Sequence, residues 1–154
     1  MSVLPALGNK AGQIEPIGEV RTIARATADN TTAFVRGDVL CSKTSKWFKA
    51  VATDKTPFGV CIKDKPTTDV RVELVNQVGV EVSVIADGVI TPESFVKVGA
   101  AAGRVQAWVA GTDAAELIVG QYVKRAQYVP EGDGALAAPS TAQNDIIIIR
   151  LGKQ

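Results

Sequence analysis

The chain has 154 residues and a formal net charge of +1, from 17 Lys and Arg against 16 Asp and Glu, and it contains no histidine. This length favours one domain with its own core, and the near-neutral charge disfavours nucleic acid or an anionic membrane as the main partner. The lack of histidine excludes a Ser-His-Asp triad, a Cys-His pair and a His-rich zinc site.

No pair of carboxylates has a spacing that selects it for acid–base chemistry, so we expect no enzymatic activity, no catalytic residues, no cofactor and no metal. Cys41 and Cys61 lie in apolar, strand-like runs, which predicts buried, reduced thiols. No signal-peptide pattern and no apolar run of membrane-spanning length is present, so the sequence predicts a soluble protein made in the cytoplasm.

Residues 1–19 are predicted to form an extended N-terminal arm, because their apolar residues follow neither a strand period nor a helix period. The apolar residues of the arm that we expect to contact a partner are Leu4, Leu7, Ile14 and Ile17. Two interpretations stay open: the arm becomes ordered against a neighbour, or it is a loose terminus. Residues 20–154 are predicted to form a single β domain.

Short β-prone segments separated by turn residues follow the arm. Strands are predicted over 20–27, over 33–41 with an interruption at Gly37, over 47–52 as a hairpin partner of the preceding strand, and over 58–62. Few positions favour a helix, so the helical content should be small.

The clearest alternation of apolar and polar residues covers 70–74 and 80–84. With residues 76–79 as the reversal, this pattern predicts an antiparallel hairpin with one apolar face. We expect that hairpin to be the rigid centre of the domain.

The segment after the hairpin contains two candidates for a single helical turn, 91–93 and 113–116, the second with Asp113 as its cap. Strands are predicted over 95–98 and 104–109. The apolar character of both strands indicates that they join the same β structure.

The C-terminal part is predicted to contain a strand over 122–128, a turn and loop over 131–144, and a final strand over 145–151. The run Ile146 to Ile149 would be hazardous on an open edge, so this strand should be paired within a sheet or covered by another subunit. The sequence thus predicts an all-β fold, a small antiparallel β-barrel or sandwich with at most one or two single-turn helices.

Lysines are concentrated between residues 43 and 65. The three that we expect to contact a partner are Lys43, Lys46 and Lys49. One interpretation is a docking patch for an acidic partner, and the other is a set of lysines that protect exposed or edge strands from aggregation.

The tripeptide Arg36-Gly37-Asp38 matches a cell-adhesion motif, but apolar residues flank it on both sides. We interpret Gly37 and Gly120 as tight bends or bulges, near which Asp38 or Gln121 satisfies backbone groups. The aromatic residues that could stack on bases or sugars are Trp47, Phe48, Trp108, Tyr122 and Tyr128. Core or subunit packing is the interpretation that we favour for them.

Segments in the order Phe34 to Val39, Trp47 to Thr53 and Pro57 to Val60 resemble the capsid decoration, or cement, proteins of tailed bacteriophages. The resemblance continues through Gly79 to Val82, Gly120 to Val123 and the closing Asp145 to Gly152. It covers roughly residues 30–152.

The resemblance implies a β-tulip-like domain and a homotrimer bound to the outer surface of the expanded capsid in the virion. There it would clamp neighbouring copies of the major capsid protein, without contacting nucleic acid or a membrane directly. The alternative function is another virion module, such as a head fibre, a tail component or a receptor-binding β module. A small β-barrel enzyme or nucleic-acid binder is a weaker alternative.

Overall fold

The computed structural model describes residue 11, residues 23–125 and residues 145–152. Within this part of the chain the fold is all-β, as predicted, and consists of two antiparallel five-stranded sheets in a sandwich-like arrangement. The strands are β1 (Ile23–Thr27), β2 (Val39–Lys43), β3 (Lys46–Lys49), β4 (Phe58–Cys61), β5 (Arg71–Val75), β6 (Glu81–Ile85), β7 (Phe95–Val98), β8 (Val105–Ala107), β9 (Ile118–Arg125) and β10 (Ile146–Leu151).

The first sheet has the strand order β1-β5-β4-β2-β3. It is not closed, but its two edge strands come together at one isolated parallel bridge between Ala28 and Trp47. The sheet therefore curls around a core of its own. That core contains Ala28, Phe34, Leu40, Trp47, Cys61, Val72 and Leu74.

The second sheet has the order β6-β10-β9-β7-β8, which is the same arrangement of five successive strands. Its edges also meet at one parallel bridge, here between Ala86 and Val105. As Asp29 N–H donates to the Trp47 carbonyl, so Asp87 N–H donates to the Val105 carbonyl. The chain thus contains two structurally equivalent units, the first formed by β1 to β5 and the second by β6 to β10.

The equivalence extends to the register of the strands. Leu40 pairs with Gly59 in the first unit, as Val96 pairs with Gly120 in the second. A Cβ at Gly120 would collide with the carbonyl oxygen of Arg150 on the neighbouring strand, so this position requires glycine. β9 has an irregular register against each of its two neighbours, which confirms the bulge that we predicted around Gly120.

The units are joined through the outer face of the first sheet, the face turned away from that sheet's own core. Buried side chains on this face share one core with the interior of the second unit. On the first unit they are Val39, Cys41, Ala50, Phe58, Val60 and Val75. The second unit is therefore required to bury the first unit's outer face, and the two units should unfold together.

The predicted hairpin between residues 70–74 and 80–84 is wrong. β5 lies in the first sheet between β1 and β4, whereas β6 is an edge strand of the second sheet. Since both sides of β5 are already paired, the chain crosses to β10 after the turn at Gly79. Alternation identified the strands but not their partners.

The short helical turns were predicted with partial success. Residues 91–93 form a turn rather than a helix, and the 3₁₀ turn lies at Ala115–Leu117 without a side-chain cap. Asp113 instead binds other groups, as described below. The final strand β10 is paired on both sides, with β6 and β9, which confirms that its apolar run is protected inside a sheet.

Candidate interaction surfaces

The four arm residues expected to contact a partner lie outside the described residues. They are Leu4, Leu7, Ile14 and Ile17. The predicted division between an arm at 1–19 and a domain from 20 also falls outside them. The contact surfaces that the structure does describe are therefore on the two β units.

The three candidate lysines do not share one surface. Lys43 and Lys46 are directly opposite each other on β2 and β3, with the ring of Phe48 5.3 Å from the Lys43 ammonium. Because Lys49 is three residues after Lys46, it points to the opposite face of β3. There its ammonium lies 3.1 Å from a carboxylate oxygen of buried Asp38.

Asp38 explains why the Arg-Gly-Asp tripeptide has a structural role. Its carboxylate also accepts a hydrogen bond of 2.8 Å from Val35 N–H, and its side chain is 6% exposed. Gly37 has a φ of +93°, which favours glycine. The acidic group of the motif is therefore enclosed in the fold, as the flanking apolar residues predicted.

Each unit has an aspartate that closes an equivalent turn. Asp54 accepts from Val51 N–H at 2.9 Å and binds Lys43 on β2 at 3.0 Å. Asp113 accepts from Val109 N–H at 2.7 Å and binds Lys97 on β7 at 2.7 Å.

The hydrogen bond from Lys97 holds the pKa of Asp113 below its usual value, and the bond from Val109 N–H acts in the same direction. Both lysines are therefore engaged in stabilising turns, which is a structural role that the lysine content alone does not reveal.

Lys65 is a buried lysine rather than part of a surface patch. Its side chain crosses the face of Phe34, with the ammonium 4.7 Å from the ring centroid, and it is 3% exposed as a residue. The ammonium donates to the carbonyls of Pro66, Thr67 and Asp69 at 2.9 to 3.4 Å. It holds the β4–β5 loop in place.

A row of half-buried side chains crosses the outer face of the second sheet, and we call it the outer stripe. Its members are Glu81, Arg150, Gln121, Phe95 and Trp108. Arg150 binds Glu81 at 2.7 Å, and the rings of Phe95 and Trp108 pack edge to face with centroids 5.9 Å apart. Gln121 donates from Nε2 to the Glu93 carbonyl at 2.9 Å, so it satisfies a backbone group as predicted.

The equivalent row of the first unit is apolar. It consists of Ile23, Val75, Val60, Val39 and Ala50, of which the last four are fully buried. The outer stripe is thus the second unit's copy of a surface that already serves as an interface. Of the aromatic residues that the sequence assigned to packing, Trp47 and Tyr122 are core residues, Phe48 and Trp108 are half-buried, and Tyr128 lies outside the described residues. Phe95, which was not among them, joins Trp108 at the surface.

Two surface depressions are also present among the described residues. One of about 260 Å³ is lined by charges of both signs on the first unit, including Arg25, Arg71, Asp69 and Glu73. The other, of about 210 Å³, lies where the units meet and is lined mainly by apolar residues, among them Phe58 and Ile118.

The two thiols are free and buried, as the sequence predicts. Cys41 belongs to the core between the units and Cys61 to the core of the first sheet, so they lie on opposite faces. Burial raises the pKa of both, that of Cys61 to about 11. These cysteines are therefore packing residues.

The described residues contain no group of three or more His, Cys, Asp or Glu side chains that could hold a metal ion. No helix in this part of the structure is long and apolar enough to span a membrane. Comparison of the chain with protein-family models, curated proteins and solved structures finds no match.

Proposed function

We propose that this chain is a structural virion protein that binds the outer surface of an expanded phage capsid and stabilises it by clamping neighbouring major capsid subunits. The observation that carries the proposal is the outer stripe. An aromatic pair and an arginine in one row, separated by Gln121, have the composition of a protein-binding surface. Trp, Phe and Arg are enriched in interfaces, and Trp and Arg also at their energetic centres.

The segments that resemble the decoration proteins support the same proposal. Gly120 to Val123 lies in β9 and contributes Gln121 to the stripe, and the closing segment provides β10 with Arg150. The remaining segments build the first unit, whose outer face packs against the second. The resemblance therefore includes residues that form and support the proposed contact surface.

Rigid support suits this role. The stripe lies on four strands of one sheet and on the residue that follows the fifth, rather than on a long loop. Side chains fixed in this way lose little conformational entropy on binding. A rigid protein that binds only the expanded shell stabilises it by mass action, by about 2.7 kcal/mol per site at a free concentration 100 times Kd.

We also propose that the protein is a homotrimer and that residues 1–18 contribute to attachment. An extended arm that carries scattered apolar residues gains affinity by adding a strand or an anchor to a neighbouring subunit. Deleting residues 1–18 should preserve the β domain and weaken attachment.

Co-sedimentation of the purified protein with expanded heads and with unexpanded procapsids tests the proposal, after light scattering has established the oligomeric mass. We expect saturable binding to expanded heads alone, and weaker binding by Trp108→Ala. The exposed residue Val70 of the first unit supplies a control, since Val70→Ala changes neither the stripe nor a candidate lysine. Binding of the wild-type protein to neither particle would contradict the proposal and favour a fibre or tail module.

A further inference from the structure

The two units differ at one pair of backbone groups. In the first unit, Val39 N–H donates to the carbonyl of Gly103 at 2.8 Å, and the Ala50 carbonyl accepts from Gly103 N–H at 2.8 Å. Gly103 belongs to the β7–β8 loop of the second unit. A residue of a second-unit loop thus lies between β2 and the residue after β3 of the first unit. Its two hydrogen bonds connect the two units.

Phe95 and Trp108 are the equivalents of Val39 and Ala50. Trp108 N–H donates to the Phe95 carbonyl at 2.9 Å, as Ala50 N–H donates to the Val39 carbonyl at 2.9 Å. In the bend that precedes β7, Glu93 N–H donates to the Tyr122 carbonyl, as Gly37 N–H before β2 donates to the Cys61 carbonyl. The backbone geometry on both sides of the position is therefore repeated in the second unit.

In the second unit no hydrogen bond between described residues fills this position. Among the described residues, no hydrogen bond joins Phe95 N–H to the Trp108 carbonyl, and no loop residue bridges the two groups as Gly103 does in the first unit. Since the N–H and C=O of one strand residue point to the same side, Phe95 N–H is directed toward Trp108. We call this unpaired donor and acceptor the backbone gap; unpaired strand groups are the sites at which another chain pairs.

The surroundings of the gap also differ from those of Gly103. Gly103 has a φ of +78°, and a Cβ there would lie 2.8 Å from Oδ1 of Asp38. The residue equivalent to Asp38 is Ser94. The Asp38 carbonyl accepts from Cys61 N–H on β4, and the Ser94 carbonyl accepts from Tyr122 N–H on β9. Half-buried Phe95 and Trp108 replace the fully buried Val39 and Ala50, so the gap has aromatic walls.

We propose that the backbone gap binds a glycine-containing loop of a partner protein, one residue of which accepts from Phe95 N–H and donates to the Trp108 carbonyl. The loop that does this within the chain, residues 99–104, is already bound to the first unit, so a second copy does not supply it. By analogy with its sequence Gly-Ala-Ala-Ala-Gly-Arg, the partner loop should have small side chains. The identity of the partner rests on the proposed function, in which it is the major capsid protein.

The probe for a direct test is a cyclic hairpin peptide with the sequence of residues 97–106, titrated into the ¹⁵N-labelled full chain. We expect saturable shifts of the Phe95 amide and the Trp108 indole signals, and slowing of amide hydrogen exchange at Phe95 by about fivefold or more, without change at Val39. The matched control is the same peptide with N-methylglycine at the position of Gly103, which lacks the donor for the Trp108 carbonyl.

No shift at Phe95 with millimolar peptide, or equal binding of the methylated peptide, would overturn the proposal. Trp108→Ala retains the backbone groups but lacks one aromatic wall, so its affinity for the peptide should fall several-fold while its circular dichroism stays unchanged. If the protein binds the peptide but not expanded heads, the result would support loop binding at the backbone gap and contradict the proposed function. If the protein binds heads while the Phe95 amide exchanges its hydrogen as fast as in the free protein, the result would support the proposed function. It would overturn the proposal that the backbone gap binds a loop.

Discussion

Gly37 and Glu93 occupy equivalent positions in the two units and share a left-handed backbone conformation. Their φ angles are +93° and +71°, and each donates its N–H to the carbonyl of the matching residue, Cys61 or Tyr122. The position is imposed by the bend that leads into β2 and β7. Glycine adopts this conformation without strain, whereas glutamate does not.

Glu93→Gly should therefore stabilise the protein, by about 1 kcal/mol, because it removes the cost of a left-handed non-glycine residue. The measurement is the urea midpoint at constant m-value. Gly37→Ala is the matched opposite and should destabilise the protein. An unchanged or lower midpoint for Glu93→Gly would show that no strain is stored at this position.

Lys65→Met should destabilise the protein by about 2 to 3 kcal/mol, because three carbonyls would lose a charged donor in a buried site. The control is Lys63→Met: Lys63 has a side chain 73% exposed and pairs with Glu73 at 3.6 Å. Exposed pairs contribute about 0 to 1 kcal/mol, so the control should change little. Equal urea midpoints for the two variants would contradict the structural role of Lys65.

Replacing Asp113 should produce a pH-dependent loss of stability. Because the folded state lowers the pKa of Asp113 below 3.8, the ionised carboxylate contributes stability above that pH and loses it as pH falls through the lowered folded value. Wild type should therefore melt above Asp113→Asn at pH 6, and the difference should shrink toward pH 2.5. A Tm difference that stays constant over this range would contradict the coupling.

Both thiols should resist alkylation in the native protein. With a pKa of about 11, Cys61 is ionised in roughly one molecule in a thousand at pH 8, and it is also fully buried. A Cys41→Ala variant isolates its reaction. Iodoacetamide should modify Cys61 only after denaturant unfolds the chain, and rapid modification of the folded variant would contradict the burial.

The alternation of side chains was sufficient to predict most strands, but not which strands pair. Residues 70–74 and 80–84 have the same pattern because each strand has one face in a core, yet the cores are different ones. Strand pairing depends on whether both sides of β5 are already paired, and no local pattern records that.

The internal repeat was not predicted because equivalent residues differ in chemistry. Val39 corresponds to Phe95 and Val60 to Gln121, since one face is buried and the other is half-exposed. The connecting loops also differ in length: residues 62–70 separate β4 from β5, whereas 126–145 separate β9 from β10. Gly59 and Gly120 are among the few identical pairs; an added Cβ would meet the Leu74 side chain at the first and the Arg150 carbonyl oxygen at the second.

The candidate lysines also show that proximity in sequence does not determine which surface a residue occupies. Sequence spacing grouped Lys43, Lys46 and Lys49, but strand geometry places Lys49 on the opposite face from the other two. The outer stripe was not predicted as a site because its residues come from all parts of the second unit. Their proximity depends on strand order.

The most direct test of the proposed function is a cryo-electron microscopy reconstruction of expanded heads incubated with the purified protein. The account predicts density for the two β units on the outer surface, bridging neighbouring major capsid subunits, with Phe95 and Trp108 facing the shell. Undecorated heads at a protein concentration that saturates any specific site would contradict it.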